Sequence, residues 1–297
     1  MQPVLQLFLE PFRDAYMQRA LVEILVLSGL AGVVSVYVLL RRLAFVGDAV
    51  THTIFPGIAI AFVAGQSLFL GALIAGLVSA VLLTVASRLP RVDPDAALGV
   101  LVGAFFSLGV IVVSTQSSYT ADLTALLFGR ILTVDSPEIV ETSVIAVSVL
   151  VVLGLVHKEL VLRAFDPVAA QGLGYRVGLL DLVVNALVAL VVVAGVRAVG
   201  TVLVIALLIV PGAIGRLVGE RIAPMLVVSV LAAGVCGYVG LVASYEVSLN
   251  HGVRLGSGST VVVTLTVAFV LTAAAAPLLR RRRAPPTAPT AVVVGSA

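Results

Sequence analysis

Tryptophan is absent from this 297-residue chain, cysteine occurs once, histidine three times, and only 11% of the residues are charged. Each shortage removes a class of protein. A soluble domain carries roughly a quarter charged residues. A chain this poor in charge and 61% hydrophobic has too little polar material to cover a water-soluble fold. The lone Cys236 lies in an apolar run with no second cysteine to pair with. That excludes a disulfide framework and a thiolate metal cage, and leaves Cys236 as a small packing residue. No G-x-x-x-x-G-K-S/T phosphate loop occurs, and no polar stretch is long enough for a nucleotide-binding fold, so the chain cannot hydrolyse ATP unaided. Nothing pairs a nucleophile with a base, which argues against an intramembrane enzyme.

What the chain has in abundance is apolar runs of the length a bilayer demands, about 20 residues each. Bounded by charge, proline or glycine, they fall at 20–40, 44–64, 68–87, 96–114, 143–161, 178–196, 199–217, 223–243 and 260–279. The pattern predicts an all-α polytopic membrane protein of about nine transmembrane helices over 20–279. A segment over 1–19 precedes it, interrupted by Glu10, Arg13 and Asp14 and therefore unlike a cleaved signal peptide. Within it Leu5, Phe8, Leu9 and Phe12 mark one face of a short interfacial helix. A basic, Pro- and Ala-rich tail over 280–297 is expected to be unstructured.

The net charge of +3 says less than its placement, because the basic residues sit at segment ends rather than in a nucleic-acid-binding patch. Arg41, Arg42, Arg88, Arg91, Lys158, Arg163, Arg176, Arg216, Arg221 and Arg280 to Arg283 all fall on one side of the predicted spans. Basic loops stay in the cytoplasm. This side is therefore expected to be cytoplasmic, with the N-terminus outside and the C-terminus inside. The outer loop over 115–142 has amphipathic character and room for a short surface helix. The inner loop over 162–177 carries Asp166 before Pro167 and a run of small residues, the pattern of an N-cap followed by proline at the first helical position. A short helix is expected to begin near Asp166.

Ionisable residues inside a span cost on the order of 2.5 to 3.5 kcal/mol each. The most informative are Asp48 and His52 in FVGDAVTHTIFPG. At i and i+4 they share one helix face about 6 Å apart along the axis. A carboxylate and an imidazole form a partial shell for Zn²⁺, Mn²⁺ or Fe²⁺. The competing reading is a polar lock in which Asp48 bonds His52 or nearby backbone. Thr51 and Thr53 add hydroxyls, and Pro56 with Gly57 predicts a kink. Glu23 near the outer start of the first span, and Asp181 with Asn185 near the inner start of the sixth, either face a cavity or reach the interface. His157 at a cytoplasmic helix end suits an interfacial role. Glu246 and His251 fall in a predicted outer loop, SYEVSLNHGVRLGSGS, where they either receive a metal, touch an external partner or are simply solvated. Gly99 and Gly103 form a small-xxx-small pair suited to close helix packing.

Four stretches in this order, LLRRLAFVGDAVTHTIFPGIAIAF from Leu39, LLFGRIL from Leu126, KELVLRAFDPVAAQGLG from Lys158 and RAVGTVLVIALLIVPGAIGRL from Arg197, resemble the permease subunits of ABC-type manganese, zinc and iron importers. The resemblance runs from about Arg19 to Ala276. It implies two permease copies around a central pathway, two cytosolic ATPase subunits that hydrolyse ATP, and an extracytoplasmic metal-binding protein that delivers the cargo. It also implies a location in the bacterial plasma membrane and no permanently bound cofactor, the divalent metal being cargo. Asp48 and His52 fall on the family's G-D-A-x-x-H pattern, which implies a transient metal site. Phe165, Asp166, Pro167 and Gly172 fall in the stretch that looks like the family's coupling helix, the element received by the ATPase. One departure stands out: SYEVSLNHGVRLGSGST is longer than the family's usual S-Y-x-L-D-L-P-S-G-A-T segment and lacks its proline.

Two rivals remain at this point. A permease for a metal chelate, of siderophore or cobalamin type, needs a wide aromatic-lined path, and this chain has 6% aromatic residues. A proton-coupled secondary transporter would use Asp48 and His52 as a relay and ignore ATPase subunits.

Overall fold

The computed structural model describes residues 10–88, 93–115, 129–251 and 256–283. Among them there are helices and turns and no strand. The helices are α1 (Ala15–Leu40), α2 (Ala44–Thr53), α3 (Phe55–Val63), α4 (Leu68–Ala86), α5 (Pro94–Ser114) and α6 (Ser136–Leu155). They continue as α7 (His157–Phe165), α8 (Pro167–Gly172), α9 (Val177–Val199), α10 (Thr201–Val218), α11 (Ile222–His251) and α12 (Ser257–Arg283). Nine candidate spans lie among the described residues, with α2 and α3 together making the second. Most of the outer loop expected to hold a surface helix, residues 116–128, lies outside the described residues, as do Leu5, Phe8 and Leu9 of the predicted interfacial helix.

In the middle of the bundle, α1 packs against α6, α9, α10 and α11, and α9 bridges it to α4. The reason is composition along α1: Ile24, Leu27, Leu30, Ala31, Val34 and Val38 are all buried. At the periphery α5 meets only α2, α3 and α4 among the helix pairs with substantial contact. Its Val100, Phe106, Leu108, Val110 and Ile111 lie exposed. A helix that is apolar all round belongs in lipid or against another membrane protein, so this exposure is what the solvent permits.

The second span is broken at Ile54, as the kink at Pro56 predicts. Pro56 has no N–H to return to the His52 carbonyl, so the helix stops at Thr53 and restarts at Phe55. The restarted half is fixed to α4 by two glycines. A Cβ at Gly57 would overlap the Gly71 carbonyl and Ala75, and one at Gly71 would overlap the Gly57 carbonyl and Ala61. Only hydrogen at both positions lets these backbones cross so closely.

Four boundaries differ from the sequence reading. The first span begins at Ala15 rather than 20, inside the stretch expected to precede it. The fifth span runs over Ser136–Leu155 rather than 143–161. A capping box between Asp135 and Glu138, with proline in the first turn, starts it early. HKELVLRAF then forms the separate amphipathic α7, because the backbone at Val156 (φ −105°, ψ 15°) leaves the helix. The eighth span continues to His251 rather than ending near 243, so Glu246 and His251 belong to α11 and not to a loop. No glycine or proline interrupts SYEVSLN, and a helix stops at a breaker rather than at the last hydrophobic residue. Likewise α12 carries its helical backbone through Arg283, into the stretch expected to be tail. The sixth and seventh spans, α9 and α10, are divided at Gly200, whose φ of +83° favours glycine.

Candidate functional site

Asp48 and His52 occupy one face of α2, with Nε2 of His52 3.7 Å from Oδ1 of Asp48. That distance is beyond hydrogen bonding, so the pair does not lock itself. Their side chains are 51% and 41% exposed, respectively, within a span that is otherwise mostly buried. They open toward α5. Phe45, Asp48, Ala49, Asp95, Leu98, Gly99 and Val102 line a cavity of about 290 Å³ there. Phe106 meets the His52 ring edge-on at 6.1 Å and stacks on Phe55 at 5.5 Å, closing the end beyond the pair. Thr51 and Thr53 do not join the site. Both are buried, and their hydroxyls donate back to the carbonyls of Asp48 (2.6 Å) and Val50 (3.2 Å). Asp95, which the sequence reading passed over, shares this cavity because the N-cap Asp93 starts α5 two residues before it and so places Asp95 in the first turn. Among the described residues no three His, Cys, Asp or Glu side chains come together as a metal shell. Asp48 and His52 thus stand as two candidate donors on one helix face, with no complete shell of such side chains around them among the described residues.

The remaining polar residues divide by role. Glu23 is fully buried rather than interfacial, and one of its oxygens accepts from the Thr142 hydroxyl at 2.8 Å, which ties α1 to α6. Asn185 donates to Thr84 Oγ1 at 2.9 Å and ties α9 to α4. Asp181 is the hub of the arginine-rich end of the bundle. It pairs with Arg41, with Arg163 (Nε to Oδ1, 3.2 Å) and with Arg88 (3.7 Å). The Arg41 side chain is only 7% exposed, and burial lowers its pKa from the ordinary guanidinium value, an effect the Asp181 carboxylate opposes. His157 accepts from or donates to the Tyr37 hydroxyl through Nδ1 at 2.5 Å, joining α7 to α1. At the other end Arg197 bridges Glu138 (2.9 Å) and Glu141 (3.1 Å). Neither contact has a local signal, since the partners are far apart in sequence.

The helix expected near Asp166 is α8. The Asp166 carboxylate accepts from the backbone N–H groups of Val168 (3.1 Å) and Ala169 (2.8 Å), and Pro167 occupies the first turn. Gly172 closes the helix. Around it Phe165, Val168, Leu173 and Tyr175 stand exposed, Phe165 at 63%. A rigid cap presenting apolar side chains is suited to insertion into a groove of another protein. Asp166→Ala is expected to cost the cap about 1 kcal/mol. Amide hydrogen exchange over 167–172 should accelerate roughly fivefold while exchange in α9 stays unchanged.

With this geometry in view, comparison with known proteins is specific. The model of the ABC 3 transport family matches residues 13–276. The manganese transport system membrane protein MntC of Halalkalibacterium halodurans is 34% identical over 257 residues, covering 86% of each chain. The chelated iron transport system membrane protein YfeD of Yersinia pestis is 34% identical over 247 residues, 83% of each. Among solved structures, PsaBC from Streptococcus pneumoniae in complex with Fab matches with a TM-score of 0.80 at 28% identity, covering 93% of this chain and 98% of that one. The chain is a multi-pass membrane protein that belongs to the ABC 3 transport family.

Proposed function

We propose that this chain is the membrane permease of an ATP-driven importer that carries a divalent transition metal, manganese foremost, across the plasma membrane into the cytoplasm. The observation that carries the reading is the Asp48 and His52 pair, half-exposed on a membrane-embedded helix with an incomplete ligand set. Oxygen and imidazole donors suit Mn²⁺, Fe²⁺ and Zn²⁺. The names of the MntC and YfeD relatives favour manganese and iron among these. A two-ligand site binds weakly enough to release its ion, which transport requires.

In this reading a second copy of the chain covers the exposed face of α5, where Gly99 and Gly103 leave open space, and brings its own pair to the axis. An extracytoplasmic binding protein delivers the metal. Two ATPase subunits receive α8 with Phe165, Asp166, Pro167 and Gly172 at the arginine-rich, cytoplasmic end, and their closure alternates access to the site. ATP hydrolysis belongs to those subunits.

The test is metal uptake by the complex reconstituted with its ATPase and binding protein. Asp48→Ala and His52→Ala should each lower manganese uptake at least about tenfold while ATP hydrolysis persists. Unchanged uptake with active ATPase would remove the pair from the pathway. In competition, unlabelled Mn²⁺ should suppress uptake better than Zn²⁺. Stronger suppression by Fe²⁺ would move the assignment toward the cargo of the Yersinia relative.

A further inference from the structure

A second cavity, of about 740 Å³, opens at the arginine-rich end and plays no part in the reading above. Arg41, Arg42, Arg88 and Arg163 face it together with only two carboxylates, Asp95 and Asp181, giving the lining a formal charge of +2. The cavity borders the Asp48 cavity at Phe45, Asp95 and Leu98, but its own charge has the sign that attracts an anion. Val177 and Gly178, the first turn of α9, form part of its wall, and the N-cap of that helix, Arg176, supplies no side-chain hydrogen bond.

Hydrogen-bond supply exceeds demand here. Each guanidinium carries about five donors, while a carboxylate offers about four acceptor positions. Asp181 therefore satisfies only part of what Arg41, Arg88 and Arg163 present. The most buried of them, Arg41, is committed to Asp181, whereas Arg88 is half-exposed and Arg42 is exposed. The position of Arg88 is built in: its guanidinium occupies the space a Cβ would need at Gly178, so it lies directly over the first turn of α9. Arg42 reaches the cavity from a backbone φ of +56°, rare for a residue with a side chain. Forked guanidinium donors beside a helix N-terminus are the arrangement that recognises phosphate.

We infer that this cavity binds a phosphate group, carried either on an anionic glycerophospholipid or as free inorganic phosphate, through Arg88, Arg42 and the first turn of α9. The location at the end of the spans puts it at headgroup depth. Its lining gathers the ends of α1, α4, α7 and α9 and the starts of α2 and α5, together with Gln171 of α8. A bound phosphate therefore ties the element proposed to meet the ATPase to the first and sixth spans, and occupancy should stiffen that junction.

The experiment uses the complete complex of permease and ATPase, stripped of lipid in detergent. Dioctanoyl phosphatidylglycerol, dioctanoyl phosphatidylcholine and sodium phosphate are titrated separately, read by native mass spectrometry and by melting temperature. One phosphatidylglycerol per permease chain, with little retention of the zwitterionic lipid and an affinity loss of about fivefold in Arg88→Gln, identifies a lipid headgroup. A melting shift with sodium phosphate that Arg88→Gln abolishes, without lipid retention, identifies free phosphate. Either result supports the site. No binding by any of the three, or binding unaffected by both Arg88→Gln and Arg42→Gln, overturns it. Both arginines are solvent-accessible, so the variants should elute and melt like the parent without ligand, which separates loss of the site from loss of fold.

Discussion

Asp181→Ala is expected to destabilise the protein by about 3–5 kcal/mol, the largest single effect predicted for this chain. The reasoning is electrostatic. Arg41 is almost wholly buried and Arg163 mostly so, and both direct their guanidinium groups at the Asp181 carboxylate, with Arg88 behind them. Removing the carboxylate leaves like charges facing one another in a partly desolvated setting. The pair as a whole need not be a strong source of stability, because assembling it already cost the hydration of each ion. Breaking it from one side is a different matter, since the cost is then uncompensated. Asp181→Asn keeps the shape and some hydrogen bonding and should lose less. The measurement is the midpoint of denaturant unfolding in detergent for parent, Asn and Ala variants. A loss below 1 kcal/mol for Ala would mean that water already screens the cluster.

The second large effect concerns backbone approach. Gly57→Ala should cost about 1–3 kcal/mol, because a single methyl group meets the Gly71 carbonyl and Ala75 in a packed crossing that has no flexible side chain to yield. Gly99→Ala provides the contrast. No atom lies within 4 Å of a Cβ there, and alanine in a helix interior gains roughly 0.5–1 kcal/mol over glycine. The isolated chain should therefore tolerate or welcome it. In the reconstituted complex the same substitution should lower metal uptake if a second copy packs on α5. Equal melting temperatures for Gly57→Ala and the parent would show that α3 and α4 can separate without loss. Uptake unchanged by Gly99→Ala would place the second copy on another face.

The parts of this molecule legible in the sequence are those with local causes. The nine spans follow from apolar run length, the break near Pro56 from a missing amide proton, and α8 from an aspartate placed ahead of a proline. Asp48 and His52 were readable as one face because four residues is one helical turn. What was not legible depends on partners distant in the chain. Asp181 looked like one of two loosely placed polar residues until Arg41, Arg88 and Arg163 converged on it from three other elements. Tyr37 and His157 meet across 120 positions. Hydropathy also ended the eighth span too soon at the polar SYEVSLN, where the backbone simply continued as helix.

The break at Ile54 separates two rods that are held in different ways. α3 is pinned to α4 by the glycine crossing, whereas α2 is a ten-residue rod of about 15 Å with Asp48 six residues from the break, about 9 Å along it. By this geometry a tilt of α2 by about 10° swings Asp48 through roughly 1.5 Å while α3 stays where it is. Metal–oxygen bonds lie near 2.0–2.2 Å and lose their geometry with shifts of a few tenths of an ångström. In the transport reading proposed above, the second span acts as a lever whose short arm carries Asp48, and a small angular stroke is enough to release an ion held there.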